Sequence, residues 1–351
     1  MTNLFVCHSQ AQLLLAISLS TGRFAQEQNH LILFTDFKLN DELRNRLNSV
    51  FTRVLIRVGT FPSTNKSWKE KFKRYPADLK EIRNFISIPF DKIFEVCDEC
   101  IPELFILKYT YKKNPNAEYI WLEDGSYPYF RNTIDVSGFS TNKTTRTIRK
   151  ILLKYLLGLG RFYDFRGCYM GSNHILRKAY LTFPGKQRKE YNSKEIVGIT
   201  NEEFCHGLTT MYPPLQENRL TPNSVLIVMD KLDVYKDLSK IEQSIKQVVT
   251  ICKQKKEQVF YKYHPREESQ LNALLDCHEL SRFTGVENFY SANIGLPLTI
   301  IGIKSTGLQN AKKLGFKVLS LSPAVGESDE NIISFYEKIG IKIIKDINEF
   351  I

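Results

Sequence analysis

The sequence predicts an α/β protein made of two Rossmann-like, doubly wound domains that face a cleft. Short apolar runs alternate with helix-length segments along all 351 residues, a rhythm that is typical of parallel sheets. Between Phe183 and Asn223 the chain becomes polar and contains several prolines, as connections between domains often do. We therefore predict an N-terminal domain over residues 1–185 and a C-terminal domain over residues 186–351.

The apolar runs are the predicted strands. In the first half they are Leu4–Val6, which precedes a helix from about Gln10, then Leu31–Phe34, Val54–Val58 and Tyr119–Leu122. In the second half they are Ile196–Ile199, Val225–Met229, Gln258–Tyr261, Leu298–Ile303 and Lys317–Leu321. Ligands of such sheets bind beyond the carboxyl ends of the strands, so residues that directly follow these runs are the candidates for function.

The composition restricts the class of protein. Hydrophobic residues make up 42% of the chain, but no segment approaches the ~18 consecutive apolar residues of a membrane-spanning helix. The first residues predict a strand and a helix rather than a signal peptide, because no Lys or Arg precedes their apolar patch. Seven scattered cysteines favour reduced thiols, so we expect a cytoplasmic protein that is at most peripheral on the inner membrane.

A net charge of +11 indicates an anionic partner. The basic segment 143–166 predicts a helix with one apolar face, formed by Ile148, Ile151, Leu152, Tyr155 and Leu159, whereas Leu153 falls on the polar side. A core helix with a solvated basic face is favoured over a helix that contacts an anionic membrane surface. The basic stretch around Trp68 allows the same interpretations. We find no known nucleic-acid-binding pattern and expect no nucleic-acid partner.

Two acids follow the strand Tyr119–Leu122 in "IWLEDGSYPYF", residues 120–130. A simple turn explains an isolated Glu-Asp-Gly motif. At the carboxyl end of a parallel strand, however, these acids would face a ligand. A partly desolvated carboxylate beside a like charge holds a proton more tightly, which suits a general base.

A second candidate motif is "VFYKYHPREE", in which a strand ends at Lys262, His264 and Pro265. Side chains alternate along a strand, so Lys262 and His264 share a face and can address one anion. We interpret the five other histidines as structural: His8, His30, His174, His206 and His278.

A third motif, "LTIIGIKSTGLQNAKKLG", runs from a buried strand through Ser305 and Thr306 into a predicted helix. Hydroxyls and unpaired N–H groups at a helix N-terminus favour a phosphate, although ordinary N-capping explains the same residues. Upstream, Glu287 either accepts hydrogen bonds from ribose hydroxyls or caps the helix that it begins.

In this order, the three motifs resemble those of the bacterial two-domain, GT-B type sialyltransferases. That group includes the lipooligosaccharide sialyltransferases and the capsular polysialyltransferases, and the resemblance spans most of the chain. It implies transfer of sialic acid, or a related nonulosonic acid, from a CMP donor to a hydroxyl of a bacterial surface glycan. It further implies inversion of configuration, with no metal and no other cofactor.

The same resemblance implies roles for individual residues. Asp124 would be the general base, with Glu123 as the alternative, and His264 would donate a proton or a hydrogen bond to the leaving phosphate. The implied donor-binding residues are Gly125, Ser126, Lys262, Pro265, Glu287, Ser305 and Thr306.

Physical chemistry agrees that no metal is needed. The cost of bond cleavage is dominated by charge on the departing phosphate, and a helix N-terminus, a lysine and a histidine all stabilise that charge. The acids of "DKLD", from Asp230 to Asp233, lack the spacing of a metal motif.

Three alternatives stay open from the sequence. CDP-glycerol-type glycerophosphotransferases also pair a His-Pro motif with a later hydroxyl pair. A basic protein that binds a membrane or nucleic acid would use only the net charge. Cys97-x-x-Cys100 is a weak zinc motif, because it has neither a second pair nor a histidine partner in the sequence.

Overall fold

The computed structural model divides into two compact units, Met1–Gly207 and Leu208–Ile351, each with its own parallel sheet. It describes residues 1–59, 68–97, 100–130, 151–156, 158–159, 162, 170–171, 173–282 and 284–350. The predicted pair of Rossmann-like α/β domains is confirmed. The first unit extends beyond the predicted boundary at residue 185, because the strand Glu195–Gly198 pairs in parallel with Lys178–Leu181.

In its described residues the first unit contains seven parallel strands, and every neighbouring pair in the sheet order β3-β2-β1-β4-β5-β6-β7 is parallel. The strands are β1 (Thr2–Cys7), β2 (Gln28–Thr35), β3 (Arg53–Val58), β4 (Lys92–Glu95), β5 (Glu118–Leu122), β6 (Lys178–Leu181) and β7 (Glu195–Gly198). The α-helices are α1 (Gln10–Thr21), α2 (Asp41–Val50), α3 (Trp68–Phe85), α4 (Ile101–Lys113) and α5 (Asn201–Met211), the last of which runs across the boundary between the units.

The second unit has six strands in the order β10-β9-β8-β11-β12-β13, again all parallel. They are β8 (Val225–Val228), β9 (Val259–Lys262), β10 (His278–Glu279), β11 (Thr299–Gly302), β12 (Lys317–Ser320) and β13 (Lys342–Ile343). Its α-helices are α6 (Leu238–Gln254), α7 (Val286–Asn293), α8 (Thr306–Lys313) and α9 (Glu330–Lys338). All nine predicted strands occur, and the sequence missed β4, β6, β10 and β13.

Each sheet has one point at which the strand order reverses, between β1 and β4 in the first unit and between β8 and β11 in the second. The connections on either side of this point lead away in opposite directions, which leaves a crevice beyond the carboxyl ends of the two strands. These two edges are therefore where the fold offers binding sites.

Buried aromatic side chains fix the end of β5, where the predicted base is located. Trp121 is fully buried, stacks on Tyr191 with ring centroids 4.6 Å apart, and donates its indole N–H to the Val96 carbonyl at 2.9 Å. Burial of a large aromatic side chain contributes about 3 kcal/mol, and the hydrogen bond satisfies its one polar atom. The residues that follow β5 thus start from a rigid position.

The predicted apolar face within 143–166 is only partly confirmed in the residues described there, because Leu159 is buried as predicted whereas Ile151 and Tyr155 are exposed. Residues Leu152–Leu156 form one π-helical turn, and Ile151 and Tyr155 are 53% and 71% exposed, whereas Leu153 is fully buried. A π-helix winds with a wider turn than an α-helix, so the spacing selects a different face. Most of 143–166, and with it the expected membrane contact, lies outside the described residues. None of the described helices has the length and apolarity to span a bilayer.

Candidate active site

Glu123 and Asp124 directly follow β5, but their side chains have different environments. Glu123 is only 4% exposed, and its carboxylate accepts hydrogen bonds from the Thr182 N–H at 2.7 Å, the Thr182 hydroxyl and the Tyr129 hydroxyl. These contacts tie the end of β5 to the end of β6 and to the following turn. Glu123 is therefore an anchor of the turn, with its oxygens already occupied by protein donors.

Asp124 is half-buried and lies beside the N-terminus of α1. Burial raises the pKa of its carboxyl group, and the side chains of Gln12 and Ser9 and the charge of His8 offset part of that rise. The Gln12 Oε1 atom accepts from the N–H groups of His8 and Ser9, at 2.6 and 3.0 Å, which leaves its Nε2 amide for Asp124. Asp124 is thus a carboxylate with raised proton affinity near the Gln12 amide, which suits a general base.

His8, interpreted as structural from the sequence, lies next to this carboxylate. It is fully buried, stacks on Phe34 at 4.7 Å, and places Nδ1 3.3 Å from Asp36 and Nε2 against Glu103. Burial lowers the pKa of His8, but the two carboxylates outweigh it and raise the pKa to about 10. The ring is therefore a buried cation near Asp124. Its position directly after β1 was the sequence signal that could have identified it.

Gly125 and Ser126 shape the turn after Asp124. Ser126 is 8% exposed, its carbonyl accepts from the Tyr129 N–H at 3.0 Å, and the Asp124 carbonyl accepts from the Tyr127 N–H at 3.1 Å. Gly125 adopts φ = +51°, in the left-handed region, and no atom lies within 4 Å of the point that a Cβ atom would occupy. The contact of Gly125 and Ser126 with a donor stays a prediction.

We expect Gly125→Ala to lower the free energy of unfolding by about 1 kcal/mol, because an L side chain at positive φ strains the backbone. Gly125→Asn is the matched control and should cost less, since asparagine tolerates this region. Urea unfolding measures both changes. An alanine variant as stable as the wild type would show that the turn does not require a left-handed residue.

In the second unit, His264 follows β9 and is held by its own loop. Its Nδ1 accepts the Arg266 backbone N–H at 3.2 Å, so the proton of the neutral ring lies on Nε2. Burial and the Arg266 and Lys262 charges lower the pKa of His264, while Asp230 opposes them. At neutral pH the ring therefore presents an Nε2–H donor. Pro265, next in the motif, is exposed.

Asp230 was considered in the sequence analysis only as a possible metal ligand. In the structure it connects the ends of β8 and β11, the two strands at which the strand order of this sheet reverses. It follows β8 and accepts hydrogen bonds from the Lys304 N–H, at 3.2 Å, and from the Tyr235 hydroxyl. Burial raises the pKa of Asp230, and these donors and the charges of Lys304 and His264 partly offset the rise. Asp230 thus links the turn after β11 to the surroundings of His264.

Lys262 ends β9, two residues before His264, and its charge is attracted by that of Glu287. Lys262 is 2% exposed and donates Nζ to the carbonyls of Tyr263, at 3.1 Å, and Arg282, at 3.4 Å. Burial lowers the pKa of Lys262 to about 8, against the attraction of Glu287 and Glu279. Glu287 lies in the first turn of α7 and accepts from the Asn310 amide at 3.1 Å.

The N-terminus of α8 is built as the sequence predicts. Ser305 is the N-cap, its Oγ accepts the Gly307 N–H at 3.3 Å, and its carbonyl accepts the Tyr336 hydroxyl at 3.0 Å. Thr306 begins the helix and is exposed. The predicted residues of the second unit therefore gather at one edge of its sheet, around β9, β11 and the starts of α7 and α8.

One cavity of about 450 Å³ in the first unit lies at the opposite edge, among the starts of β5, β6 and β7. Its wall includes Lys178, whose Nζ is 3.4 Å from Glu118 and 3.2 Å from Glu195. Bound ligands of doubly wound sheets lie at the carboxyl edge, so this cavity is not associated with the predicted base.

A profile of the alpha-2,8-polysialyltransferase (POLYST) family matches residues 3–314 of the chain. No curated protein sequence matches it significantly. Among solved structures, an alpha/beta-galactoside alpha-2,3-sialyltransferase of Photobacterium phosphoreum is similar over 100% of this chain and 99% of its own, with 11% identity and a TM-score of 0.54. The UDP-GlcNAc 2-epimerase of Methanocaldococcus jannaschii is similar over 96% and 92%, with 11% identity and a TM-score of 0.53.

The two solved structures show a shared fold, which is the GT-B type with two Rossmann-like domains. The family profile covers nearly the whole chain, including the acidic motif and the His-Pro motif. The chain therefore belongs to the alpha-2,8-polysialyltransferase family and is a glycosyltransferase that transfers sialic acid.

Proposed function

We propose that the enzyme transfers sialic acid, or a related nonulosonic acid, from its CMP donor to a hydroxyl of a bacterial surface glycan, with inversion. The observation that carries the proposal is the contrast between the two acids after β5. The carboxylate oxygens of Glu123 already accept hydrogen bonds from protein donors. Asp124, in contrast, is partly buried, has a raised pKa and lies near the Gln12 amide. An inverting transfer needs one such base, and it needs a separate group for the leaving phosphate.

On the acceptor side, the Asp124 carboxylate takes the proton of the attacking hydroxyl as its oxygen bonds to the anomeric carbon of the donor. Burial weakens the hydration of this carboxylate and so strengthens its attraction for a proton. The Gln12 amide and the His8 charge oppose that rise in pKa and so favour the ionised form that a base needs. Asp124 leaves the step as the neutral acid and returns the proton to solvent.

On the donor side, the bond between the anomeric carbon and the CMP phosphate breaks, and the electron pair goes to the phosphate oxygen. His264 Nε2–H donates a hydrogen bond to that oxygen. The Lys262 ammonium and the N-terminus of α8 attract the same negative charge. Pro265 keeps the histidine loop rigid, Glu287 accepts from the ribose, and the hydroxyls of Ser305 and Thr306 bind the phosphate.

Direct measurement of the donor tests this function. We expect transfer or slow hydrolysis with CMP-sialic acid, assayed across a panel of CMP-nonulosonates and a glycan array, and no turnover with CDP-glycerol. We also expect CMP to raise the melting temperature. Turnover of CDP-glycerol alone would make the enzyme a glycerophosphotransferase. Salt-sensitive binding to anionic vesicles or DNA, without a thermal shift from CMP, would make it a binding protein.

We expect Mg²⁺ and Mn²⁺ to leave the initial rate unchanged, as should EDTA added at the start of the assay. The protein's own cations would stabilise the leaving phosphate, which is the role that a divalent ion has in metal-dependent transferases. Initial rates with each addition measure this. A strict requirement for either ion would place the enzyme in a different mechanistic class.

We expect CMP to bind more weakly as the pH rises through about 8, because Lys262, with its pKa lowered to about 8, then loses its positive charge. The dissociation constant should increase by up to about tenfold at pH 9, whereas Lys262→Arg should show little change, since arginine stays charged. The unfolded state holds this proton more tightly, so ligand-free stability should rise between about pH 8 and 10.5. If the CMP dissociation constants of the two proteins changed identically with pH, Lys262 would not contribute to phosphate binding.

We further propose a cytoplasmic enzyme, in which a core helix is the favoured interpretation of residues 143–166 and contact of this basic segment with the anionic inner-membrane surface is the alternative. The net charge of +11 supports such a contact. Sedimentation with vesicles of anionic lipid tests it, and equal binding to neutral vesicles would contradict it.

A further inference from the structure

We propose that the first unit binds a thiophilic divalent ion, Zn²⁺ by chemical class, through Cys97, Cys100 and Glu103. One ligand atom from each residue lies within 4.8 Å of the other two, and the two Sγ atoms are 3.5 Å apart. Thiolates on tetrahedral zinc, with Zn–S lengths of about 2.3 Å, are separated by roughly 3.8 Å. The three donors are therefore nearly in place for one ion.

The local fold explains why these donors converge. Cys97 follows β4, Cys100 is the N-cap of α4, and Glu103 lies in the first turn of that helix. Residues three apart at a helix start point to the same side, so Cys100 and Glu103 face Cys97 together. Cys97 is buried and Cys100 is partly buried, which keeps the thiols from bulk solvent. The spacing of two residues between the cysteines is that of a zinc half-site.

His8 provides the partner that the sequence motif lacked. Its Nε2 contacts the Glu103 carboxylate, and its Nδ1 lies 3.3 Å from Asp36. Asp36 and His8 therefore form a carboxylate–histidine pair that contacts Glu103, the third ligand. Metal ligands are oriented by such outer hydrogen bonds. Glu103 is fully buried, and its carboxylate can complete the donor set beside the two cysteine sulfurs.

The ion would lie at the strand reversal between β1 and β4, where it would tie the start of α4 to the sheet. Its role there is structural, since none of its three ligands takes part in the proposed transfer, and it is independent of how the donor's phosphate is stabilised. A site with two thiolates releases its ion slowly, so EDTA in a short assay leaves it loaded. Prolonged chelation should lower the melting temperature, and Zn²⁺ but not Mg²⁺ should restore it.

Metal content and cobalt spectroscopy test the site on the untagged full chain. We expect about one zinc per chain in the purified wild type, with the ion lost in Cys97→Ser and Cys100→Ser. Cys277→Ser, a partly buried cysteine of the second unit, is the matched control and should keep it. Co²⁺ added to the reduced, zinc-free wild type should give a thiolate-to-cobalt charge-transfer band, a readout that does not depend on the variants folding.

Three results would overturn the inference. The first is a Co²⁺ titration of the wild type without a thiolate band, and the second is equal zinc content in the wild type and a folded Cys100→Ser variant. A Cys97–Cys100 disulfide in protein purified from a reducing cytoplasm, detected by peptide mass, would also overturn it and would identify a redox pair instead.

Discussion

Asp124→Asn is expected to lower the rate of sialyl transfer by about 10²- to 10⁴-fold, the usual contribution of a general base, without changing the melting temperature. Asparagine has nearly the same volume and still hydrogen-bonds to the helix start, but it cannot take the acceptor's proton. In the wild type, the acidic limb of kcat/KM should lie above the ordinary range of an aspartate, because burial raises the pKa of Asp124. That limb should be absent from the variant.

Glu123→Gln is the matched control for Asp124→Asn. Its amide would point an N–H at the Thr182 and Tyr129 donors, so we expect a loss of about 1–3 kcal/mol in the free energy of unfolding. The rate per folded molecule should change much less than in Asp124→Asn. A stable Glu123→Gln protein without activity, beside an active Asp124→Asn protein, would exchange the roles of the two acids.

His264→Ala is expected to lower kcat by about 10²- to 10³-fold, as the loss of one donor to a developing negative charge does elsewhere. His264→Gln should recover part of this loss, because its amide nitrogen reaches close to the position of Nε2. The Arg266 N–H on Nδ1 keeps Nε2 as the donor in the wild type. Single-turnover rates with a CMP donor measure both variants.

The pH dependence separates a hydrogen-bond donor from an acid. Because the pKa of His264 is lowered, its ring is neutral at pH 7, and the rate should not decline as the pH rises from about 6.5 to 7.5, below the range in which Lys262 loses most of its charge. A decline in this range that disappears in His264→Gln would show that the protonated ring is required. Equal rates for the glutamine and alanine variants would contradict the donor role.

Strands within apolar runs were predictable from the sequence, whatever their length. The runs around β1, β2 and β11 are apolar because helices cover both faces of a parallel sheet. In β4 only two apolar residues lie between a lysine and a glutamate, and in β6 only three residues follow a lysine, and both strands pair with neighbours on each side. Their local sequence carries too little of the information that makes them strands.

The candidate site was predictable where it follows a strand and has a recognisable motif, as Asp124 and His264 do. The contributions of His8, Gln12 and Asp230 depend on partners distant in the chain. His8 and Asp36 are 28 residues apart, and Asp230 and Lys304 are 74 residues apart. No local pattern relates such residues, so the position of His8 after β1 could indicate the carboxyl edge of the sheet but not the carboxylates that contact the ring.

The hydrogen bonds between Glu123 and Thr182 also have an evolutionary consequence. The two residues are 59 positions apart, yet each satisfies polar atoms of the other that are buried in the protein. A change at one position leaves an unsatisfied group at the other, so selection acts on the pair. Homologues should therefore show correlated substitutions at these two positions, whereas the residue aligned with Asp124 should stay an acid regardless of its neighbours.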